Sequence, residues 1–394
     1  MTKVDKITTT DVKRYNKNRV FRLIHYAGRI SRQEIADILQ LSLPTVNQNL
    51  KLLTEEGLIT FEGNFASTGG RKAQIIAINT KSKYAVSVNI CDNGIQIAVV
   101  NLVGDIVEVT NKNIILKDDD DSGKKVADAV RKVIKEYKIP EKSVLGVGIT
   151  VPGVFDSEHK VIVSAPTMGL HGYSMNKITD YLPYPCVSCN DARANAFAEY
   201  WWNGRRSEEA LALGCLDDAS DGGVEGKLYL MLNHGVGGSY LDNERIRTGK
   251  NNCYGEFGHM TIHPGGRQCF CGKKGCFESY VSSRCLSTEL GVTLEYFFKE
   301  LEEGNMVYEN LFDSYLDDLT TGINNLYIMS DSEIIVGGPV SRYLEPYMED
   351  IRKRLSQKYA FDTDGSYCSI AKCTPLQAES GAALEFLTDY IRNA

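Results

Sequence analysis

The feature that most constrains this chain is a short segment with three cysteines and one histidine. His259 ends the run GEFGH at 255–259, and Cys269, Cys271 and Cys276 follow, all four within 18 residues. Three thiolates and one imidazole form a complete tetrahedral ligand set for zinc, and glycines in the loop allow its tight turns. The alternative is a group of buried free cysteines. The spacing predicts a structural Zn²⁺ site with no position left for water.

Composition limits the class of protein. The chain has 394 residues, 43% of them hydrophobic, which is ordinary for a globular protein of two or three domains. No run approaches the roughly 18 apolar residues of a membrane span, and the polar N-terminus has no signal-peptide core. Eleven cysteines without an export signal favour reduced thiols and a metal site. We expect a cytoplasmic protein with no membrane partner.

Positive charge is concentrated near the N-terminus. Residues 1–80 carry 12 Lys and Arg against 7 Asp and Glu, a balance of +5. The remaining residues carry 32 against 44, a balance of −12. A basic head on an acidic body indicates that only the head contacts a polyanion.

The first 80 residues have the element order of a winged helix-turn-helix. Helical periodicity predicts a helix over 11–27. Ser31 and Glu34 form a capping box, which predicts the start of a second helix over 33–40. This short helix is expected to bury Ile35, Ala36, Ile38 and Leu39.

A third helix has the pattern of a DNA-recognition helix. Ser42 is its predicted N-cap, and Gly57 ends it. Apolar residues at helical spacing face inward and leave short amides, hydroxyls and one amine on the outer side, where such groups pair with base edges in the major groove. The candidate DNA-binding residues of this helix are Ser42, Thr45, Asn47, Gln48, Asn49 and Lys51.

A glycine-rich hairpin follows this helix. Two strand patterns, at 58–62 and 73–79, flank a tip that carries Arg71 and Lys72. Two cations at a hairpin tip suit a wing that lies along DNA phosphates. A small helical bundle that binds protein is the alternative. The element order, the positive charge and the amide-rich third helix favour double-stranded DNA.

Residues 81–394 alternate strand and helix patterns, which predicts an α/β body of two lobes with a cleft between them. A helix is expected at 124–137. The predicted strands cover 84–89, 94–101, 106–114, 145–150, 227–232 and 333–336.

The body resembles the ROK family, named for repressors, open reading frames and sugar kinases. The resemblance extends over essentially the whole chain. It implies an actin-like (ribonuclease H-like) two-lobed ATPase fold after a winged helix-turn-helix domain of residues 1–80. Lobe one is then expected over 81–199 plus a C-terminal helix at 378–394, and lobe two over 200–377. The motifs that carry the resemblance are GVGITVPG at 146–153, Ala165-Pro166, Asn190-Asp191-Ala192, the zinc segment and GGPVS at 337–341.

The resemblance also implies a sugar site. Carboxylates, an amide and an imidazole are the groups by which a buried pocket satisfies a polyol. His259 would give one ring nitrogen to zinc and the other to a sugar hydroxyl. Asp191 matches the general base of the family's kinases. The positions implied to bind sugar hydroxyls are Asn190, Asp191, Glu256, His259 and Glu278.

Both nucleotide-binding turns of the family's kinases are altered here. The Asp-x-Gly-Gly-Thr turn is matched by NICDN at 89–93, and Gly-Thr-Gly-x-Gly-x-Gly by NHGVGGS at 233–239. Asn89 replaces the acid that organises Mg²⁺, and Asp92 puts negative charge where a polyphosphate would lie. We therefore expect neither bound ATP with Mg²⁺ nor an acting catalytic residue.

Together these features predict a transcriptional repressor of carbohydrate genes that responds to a small sugar. It is expected to be a homodimer or a dimer of dimers on a two-fold related operator. One alternative is an active ATP-dependent sugar kinase with a DNA-binding head. The other is a repressor whose pocket takes no effector.

Overall fold

The structure is a computed structural model, which describes residues 9–66, 73–204, 226–242, 245–250, 253–361 and 364–394. A small N-terminal domain precedes two α/β lobes, as the sequence predicts. Among the helices in these ranges, none is long and apolar enough to cross a lipid bilayer.

The N-terminal domain is a winged helix-turn-helix. Ser31 forms the expected capping box with Glu34, and the Ser42 hydroxyl accepts a hydrogen bond from Thr45 N, so both predicted helix starts are confirmed. A three-stranded antiparallel sheet of order β1-β3-β2 completes the domain. Its elements are α1 (Thr9–Ala27), β1 (Arg29–Ile30), α2 (Arg32–Leu39), α3 (Leu43–Glu55), β2 (Ile59–Asn64) and β3 (Gln74–Ile78).

Two predicted side-chain orientations in this domain are wrong. Ile38 is 52% exposed, because the core contacts the side of α2 that carries Leu39. Asn49 is only 4% exposed, and its amide donates to Thr45 O at 2.9 Å. At about 100° per residue, Asn49 lies within the apolar stripe of α3 beside Val46 and Leu53. Asn49 was expected to face outward because it is polar. It is buried because the apolar stripe of α3 is wide enough to include its position.

Lobe one is built on a five-stranded sheet of order β6-β5-β4-β7-β11. Three antiparallel strands are followed by two parallel ones on the other side of β4. The strands are β4 (Tyr84–Cys91), β5 (Gly94–Asn101), β6 (Ile106–Lys112), β7 (Val144–Val151) and β11 (Cys186–Asn190). A separate small sheet that the sequence analysis did not anticipate consists of β8 (Val154–Asp156), β9 (Val161–Ala165) and β10 (Leu170–Ser174).

Lobe two repeats the same strand order as β14-β13-β12-β15-β16. Again three antiparallel strands precede two parallel ones, so the two lobes are built to one plan. The strands are β12 (Lys227–Leu232), β13 (Val236–Asp242), β14 (Arg245–Ile246), β15 (Ile334–Gly337) and β16 (Cys368–Ile370).

Helices cover both sheets. In lobe one they are α4 (Asp120–Glu136), α5 (Asn176–Thr179) and α6 (Asp191–Glu199). In lobe two they are α7 (Glu278–Val281), α8 (Leu294–Glu302), α9 (Met306–Ser330), α10 (Ser341–Leu344) and α11 (Met348–Lys358). The chain then returns to lobe one as α12 (Pro375–Glu379) and α13 (Gly381–Asn393).

Helix α6 is the central element of lobe one. All residues from Ala192 to Glu199 are buried. Helix α13 approaches it so closely that a Cβ on Gly381 would lie 1.8 Å from Ala194 O, so only glycine fits there. The Glu199 carboxylate accepts backbone N–H bonds from Lys372 and Cys373 at 2.9–3.1 Å, which ties the end of α6 to the segment before α12.

The N-terminal domain packs directly on the body. Its apolar core is continuous with buried residues of α6 and α13, whereas the core between α4 and the lobe-one sheet is a separate cluster. On α1, Phe21 contacts Tyr390 of α13 edge to face, and the Asn18 amide donates to Ile391 O at 3.0 Å. The His25 ring lies 2.9 Å from Leu102 O at the end of β5. The head is therefore docked on lobe one through α1.

Candidate metal centre and binding cleft

The four predicted metal ligands lie together in one cluster. The ligand atoms of His259, Cys269, Cys271 and Cys276 are all within 4.8 Å of one another. Cys271 Sγ lies 3.7 Å from Cys276 Sγ, and Cys269 Sγ lies 3.7 Å from His259 Nδ1. Around zinc, a tetrahedron with Zn–S bonds of about 2.3 Å has S···S edges of about 3.8 Å. The donor set and these two spacings therefore fit zinc.

The loop that carries the thiols is a compact folded unit. Cys269 N donates to Lys273 O, and Gly275 N donates to Arg267 O, each at 2.8 Å. Gly275 has a φ of 84°, and a Cβ there would lie 1.8 Å from His263 O. Only glycine fits this close approach, so the local sequence builds the loop around the thiols.

His259 connects the metal cluster to the cleft. It ends a 3₁₀ turn, Phe257–His259, that follows Glu256. Its Nδ1 faces Cys269, whereas its Nε2 lies 3.9 Å from a Glu256 carboxylate oxygen. The two ring nitrogens therefore face different partners, as a metal ligand that also contacts a bound hydroxyl requires.

Glu278 begins α7 and is 8% exposed. Its Oε1 accepts a hydrogen bond from the Cys269 thiol at 2.7 Å and lies 3.6 Å from His259 Nδ1. A Cβ on Gly235, in the β12–β13 hairpin, would lie 3.3 Å from its Oε2. This carboxylate therefore lies between the metal cluster and the hairpin.

Asn190 and Asp191 enter the cleft from lobe one, where β11 ends and α6 begins. Asn190 Oδ1 accepts from the N–H groups of Ala192 and Arg193, and Asn190 Nδ2 donates to Gly153 O at 2.8 Å. Asn190 thus orients the start of α6. Carboxyl ends of parallel strands are where α/β proteins bind ligands.

The cleft carboxylates have shifted pKa values. Burial, together with the nearby Glu256 carboxylate, raises the pKa of Asp191 to about 6. Burial also raises the pKa of Glu256, whereas the charge of His259 lowers it. Acids from both lobes therefore lie close enough to interact. We name Asn190, Asp191, Glu256, His259 and Glu278 the cleft set.

Sequence reasoning missed Arg193 as part of this site. Arg193 is 6% exposed on α6, and its charge lowers the pKa of Glu256. The available signal was a single charge inside an alanine-rich run, at 192–198. An arginine among buried alanines is itself buried and therefore needs a negative partner. The sequence does not show which acid that is, because the position of the partner depends on the tertiary fold.

The two hairpins at 89–93 and 233–239, which we name the phosphate hairpins, are tied to other parts of the protein. Asn89 Oδ1 accepts from the Thr150 hydroxyl at 2.8 Å. In the second hairpin, Arg284 Nε donates to His234 O at 2.8 Å, and Ser283 N donates to Asn233 O at the same distance. The Asn89 side chain is thus held by Thr150, and two backbone carbonyls of the second hairpin are held by Ser283 and Arg284.

The candidate DNA-binding residues differ in exposure. Ser42, Asn47, Gln48 and Lys51 are exposed on α3. Thr45 is half-buried, and its hydroxyl lies 2.8 Å from the Ser42 hydroxyl. Of the wing residues, Arg71 and Lys72 lie outside the described residues.

Comparisons with known proteins establish the family. The model of the ROK family matches residues 85–384, and the model of winged helix-turn-helix DNA-binding domains matches residues 14–60. Because the first match covers more than half of the chain, this protein belongs to the ROK family.

Individual matches cover different parts of the chain. The chain is 26% identical over 377 residues to a putative xylose repressor of Caldicellulosiruptor sp. (strain Rt8B.4), covering 89% of this chain and 90% of that protein. A ROK family transcriptional regulator, a homologue of the E. coli MLC protein, matches with a TM-score of 0.73 and 20% identity over 97% of both chains. A ROK family glucokinase from Streptomyces griseus matches with a TM-score of 0.60 and 23% identity over 77% of this chain and 98% of the glucokinase. The matches confirm the predicted fold.

Proposed function

We propose that this protein is a cytoplasmic transcriptional repressor of carbohydrate genes that binds a small sugar without phosphorylating it. The observation that carries the proposal is the continuous apolar cluster that joins the winged helix-turn-helix head to α6, the helix that begins at Asp191 of the cleft set. The similarity to a putative xylose repressor over 89% of the chain supports it.

A polyol suits the cleft set because its members are mostly hydrogen-bond acceptors. Sugar hydroxyls donate to carboxylates and accept from imidazole and amide N–H groups. A zinc-bound Cys269 is a thiolate and cannot donate to Glu278, so Glu278 then needs another donor. A sugar hydroxyl in the cleft supplies one. Zinc bound by His259 and the three cysteines would hold His259 in place.

The phosphate hairpins support binding without phosphoryl transfer. Phosphoryl transfer needs a metal-organising acid and loops that hold the nucleotide's phosphates. Asn89 is an amide that contacts Thr150, and the second hairpin is held by Ser283 and Arg284. Asp191 at the kinase base position then serves as a hydroxyl acceptor for the bound sugar.

Helix α6 offers a direct route from cleft to head. It begins at Asp191 in the cleft and continues into a π-helical turn, Tyr200–Gly204. Trp201 in that turn is 4% exposed, and its ring centroid lies 6.1 Å from that of His25 on α1 of the head. We infer that a sugar-induced shift of α6 changes how the head docks, and in a homodimer or dimer of dimers it thereby changes the spacing of two heads on a two-fold operator.

The proposal is tested by DNA selection followed by sugar titration. The full-length zinc-loaded protein should select a two-fold related DNA sequence from a random pool. A panel of pentoses, hexoses and N-acetylhexosamines is then titrated, and fluorescence anisotropy measures DNA affinity. At least one sugar should change DNA affinity by about fivefold or more. DNA selection with no response to any sugar would instead favour the repressor without an effector.

An active sugar kinase is the second candidate, because the body has the fold of a glucokinase. ATP, Mg²⁺ and each sugar of the panel are incubated with the protein, and ADP release is measured. We expect no turnover, whereas sugar kinases reach about 1–100 s⁻¹. Turnover in that range would replace the proposed function with the kinase.

Helix α3 carries one exposed and one buried asparagine, which give a matched pair of variants for testing the DNA contact. Asn47→Ala removes an exposed amide and should weaken operator binding about tenfold without changing the melting temperature. Asn49→Ala removes a buried amide and should lower the melting temperature. Equal loss of DNA affinity by Asn47→Ala on operator and random DNA would mean that Asn47 contacts phosphates rather than bases.

A further inference from the structure

A small cavity next to the zinc loop is lined by two arginines. Its volume is about 210 Å³, and Arg267, Phe270, Ser279, Arg284 and Glu289 are among its lining residues. Pockets for drug-sized ligands measure roughly 300–1,000 Å³. This cavity therefore has room for a small chemical group only.

Both guanidinium groups are held in fixed positions. Arg284 Cζ lies 4.0 Å from the centroid of the Phe270 ring, and Arg284 Nε donates to His234 O at 2.8 Å. Arg267 is arranged in the same way, because its Cζ lies 4.9 Å from the centroid of the Tyr280 ring and its Nη1 donates to Ser279 O at 3.2 Å. An arginine has five N–H donors, so each group keeps donors after making these contacts.

Ser279 adds a buried hydroxyl to the same cavity. It is 5% exposed, and its Oγ has no hydrogen-bond partner among the described residues. A buried hydroxyl without a partner is unfavourable. Ser279 lines the cavity, and because a hydroxyl hydrogen rotates freely, a small shift of the cavity wall would let it donate to an acceptor there.

We propose that this cavity binds a compact anion, a phosphate or carboxylate group held by Arg267, Arg284 and the Ser279 hydroxyl. Toward an anion, the two fixed guanidinium groups and the hydroxyl all act as hydrogen-bond donors. Charge-assisted hydrogen bonds of this kind are stronger than those between neutral groups. The competing negative charges are the Glu289 carboxylate, 4.0 Å from Arg284 Nη1, and the thiolate of zinc-bound Cys269, which also lines the cavity. The proposal depends on neither sugar binding nor DNA binding.

Calorimetric titration of the full-length zinc-loaded chain with inorganic phosphate tests the proposal, with sodium chloride keeping the ionic strength constant. Saturable binding with a Kd of about 1 mM or lower is expected. Arg267→Gln and Arg284→Lys should each weaken it about tenfold, because each removes part of the donor set. Glu289→Gln removes one competing negative charge and should strengthen phosphate binding severalfold.

Arg342→Gln is the matched control. Its guanidinium also lies over an aromatic ring, that of Tyr343 at 4.8 Å, and pairs with Glu295 at 2.9 Å, but it does not line the cavity. Phosphate affinity should not change in this variant. Absence of saturable binding, or equal affinity in the wild type and both cavity arginine variants, would overturn the proposal.

Parallel titrations with acetate and a hexose 6-phosphate separate the possible sources of the anion. Tighter binding of the hexose phosphate than of inorganic phosphate assigns the cavity to a phosphate ester. Tighter binding of inorganic phosphate assigns it to the free ion, and tighter binding of acetate assigns it to a carboxylate. Each comparison is repeated with Arg284→Lys, so that only binding in this cavity is counted.

Discussion

The acids Asp191 and Glu256 of the cleft set differ from the phosphate hairpins in how their polar groups are used. In the cleft, acids from two lobes converge, and burial raises the pKa values of Asp191 and Glu256. In the hairpins, Asn89 is bonded to Thr150, and the loop at His234 is bonded to Arg284. Ionisable groups that are buried at a cost in free energy indicate a ligand-binding site. Polar groups that are hydrogen-bonded within the protein indicate a structural role.

This difference explains how one fold can serve either catalysis or sensing. A kinase and a sensor both need a cleft that recognises the sugar, but only the kinase needs the phosphate-binding turns. Changes confined to the turns would therefore remove phosphoryl transfer and leave recognition intact. Variants of the cleft set and of the phosphate hairpins test whether sugar recognition is independent of the hairpins.

Removing a metal ligand should have the largest effect, because it disorders one side of the cleft. Cys271→Ser leaves an incomplete ligand set, and structural zinc sites contribute directly to folding. We expect the melting temperature to fall by about 10 °C or more, with loss of bound zinc measured by elemental analysis. Cys285→Ser is the control, since Cys285 lies outside the metal cluster. An unchanged melting temperature and zinc content in Cys271→Ser would refute the metal centre.

Exchanging acid and amide in the two regions gives the next largest effect. Asp191→Asn should weaken sugar binding by about 10–100-fold, because a charged acceptor is lost from the cleft. The same variant should unfold at higher temperature, because a buried carboxylate with a raised pKa is a cost to the folded state at pH 7. Asn89→Asp is the matched change in the hairpin and should leave sugar affinity unchanged. Calorimetry and thermal unfolding measure both quantities.

Asp191 should also give sugar binding a pH dependence. With its pKa at about 6, most Asp191 is ionised at pH 7 and most is protonated at pH 5, so sugar affinity should fall about tenfold over that range. The folded state holds this proton more tightly than the unfolded chain, whose Asp pKa is about 3.8. This group's contribution to stability is therefore greatest below pH 4 and is lost as pH rises to about 6. Asp191→Asn should have a flatter profile in both measurements.

The smallest expected effect is at the contact between head and body. His25→Ala removes the ring that contacts Trp201 and Leu102 O. Sugar affinity in the absence of DNA should be unchanged, whereas the sugar-dependent change in DNA affinity should shrink severalfold. His171→Ala, an exposed histidine on β10, is the control. A full sugar response in His25→Ala would exclude this route from cleft to head.

Features set by neighbouring residues could be predicted from the sequence. The capping box at Ser31, the N-cap at Ser42 and the winged helix-turn-helix order depend on contacts within a few residues, and the structure confirms them. The metal cluster has the same local origin, because its four ligands lie within 18 residues. The family and its two-lobed fold followed from motifs along the chain and are confirmed by the comparisons. The roles of the cleft set in sugar binding stay predictions.

Features set by packing between distant segments were decided only by the tertiary structure. The sequence marks Asn49 as polar, but the width of the α3 stripe buries it, and Ile38 is exposed for the same kind of reason. No local pattern shows that Trp201 contacts His25, that Arg193 lies near Glu256, or that Thr150 bonds Asn89. Each of these contacts joins residues at least 50 positions apart, and burial and hydrogen bonding between such groups depend on how whole elements pack. The residues themselves determine which contacts are chemically possible, and the fold selects the ones that form.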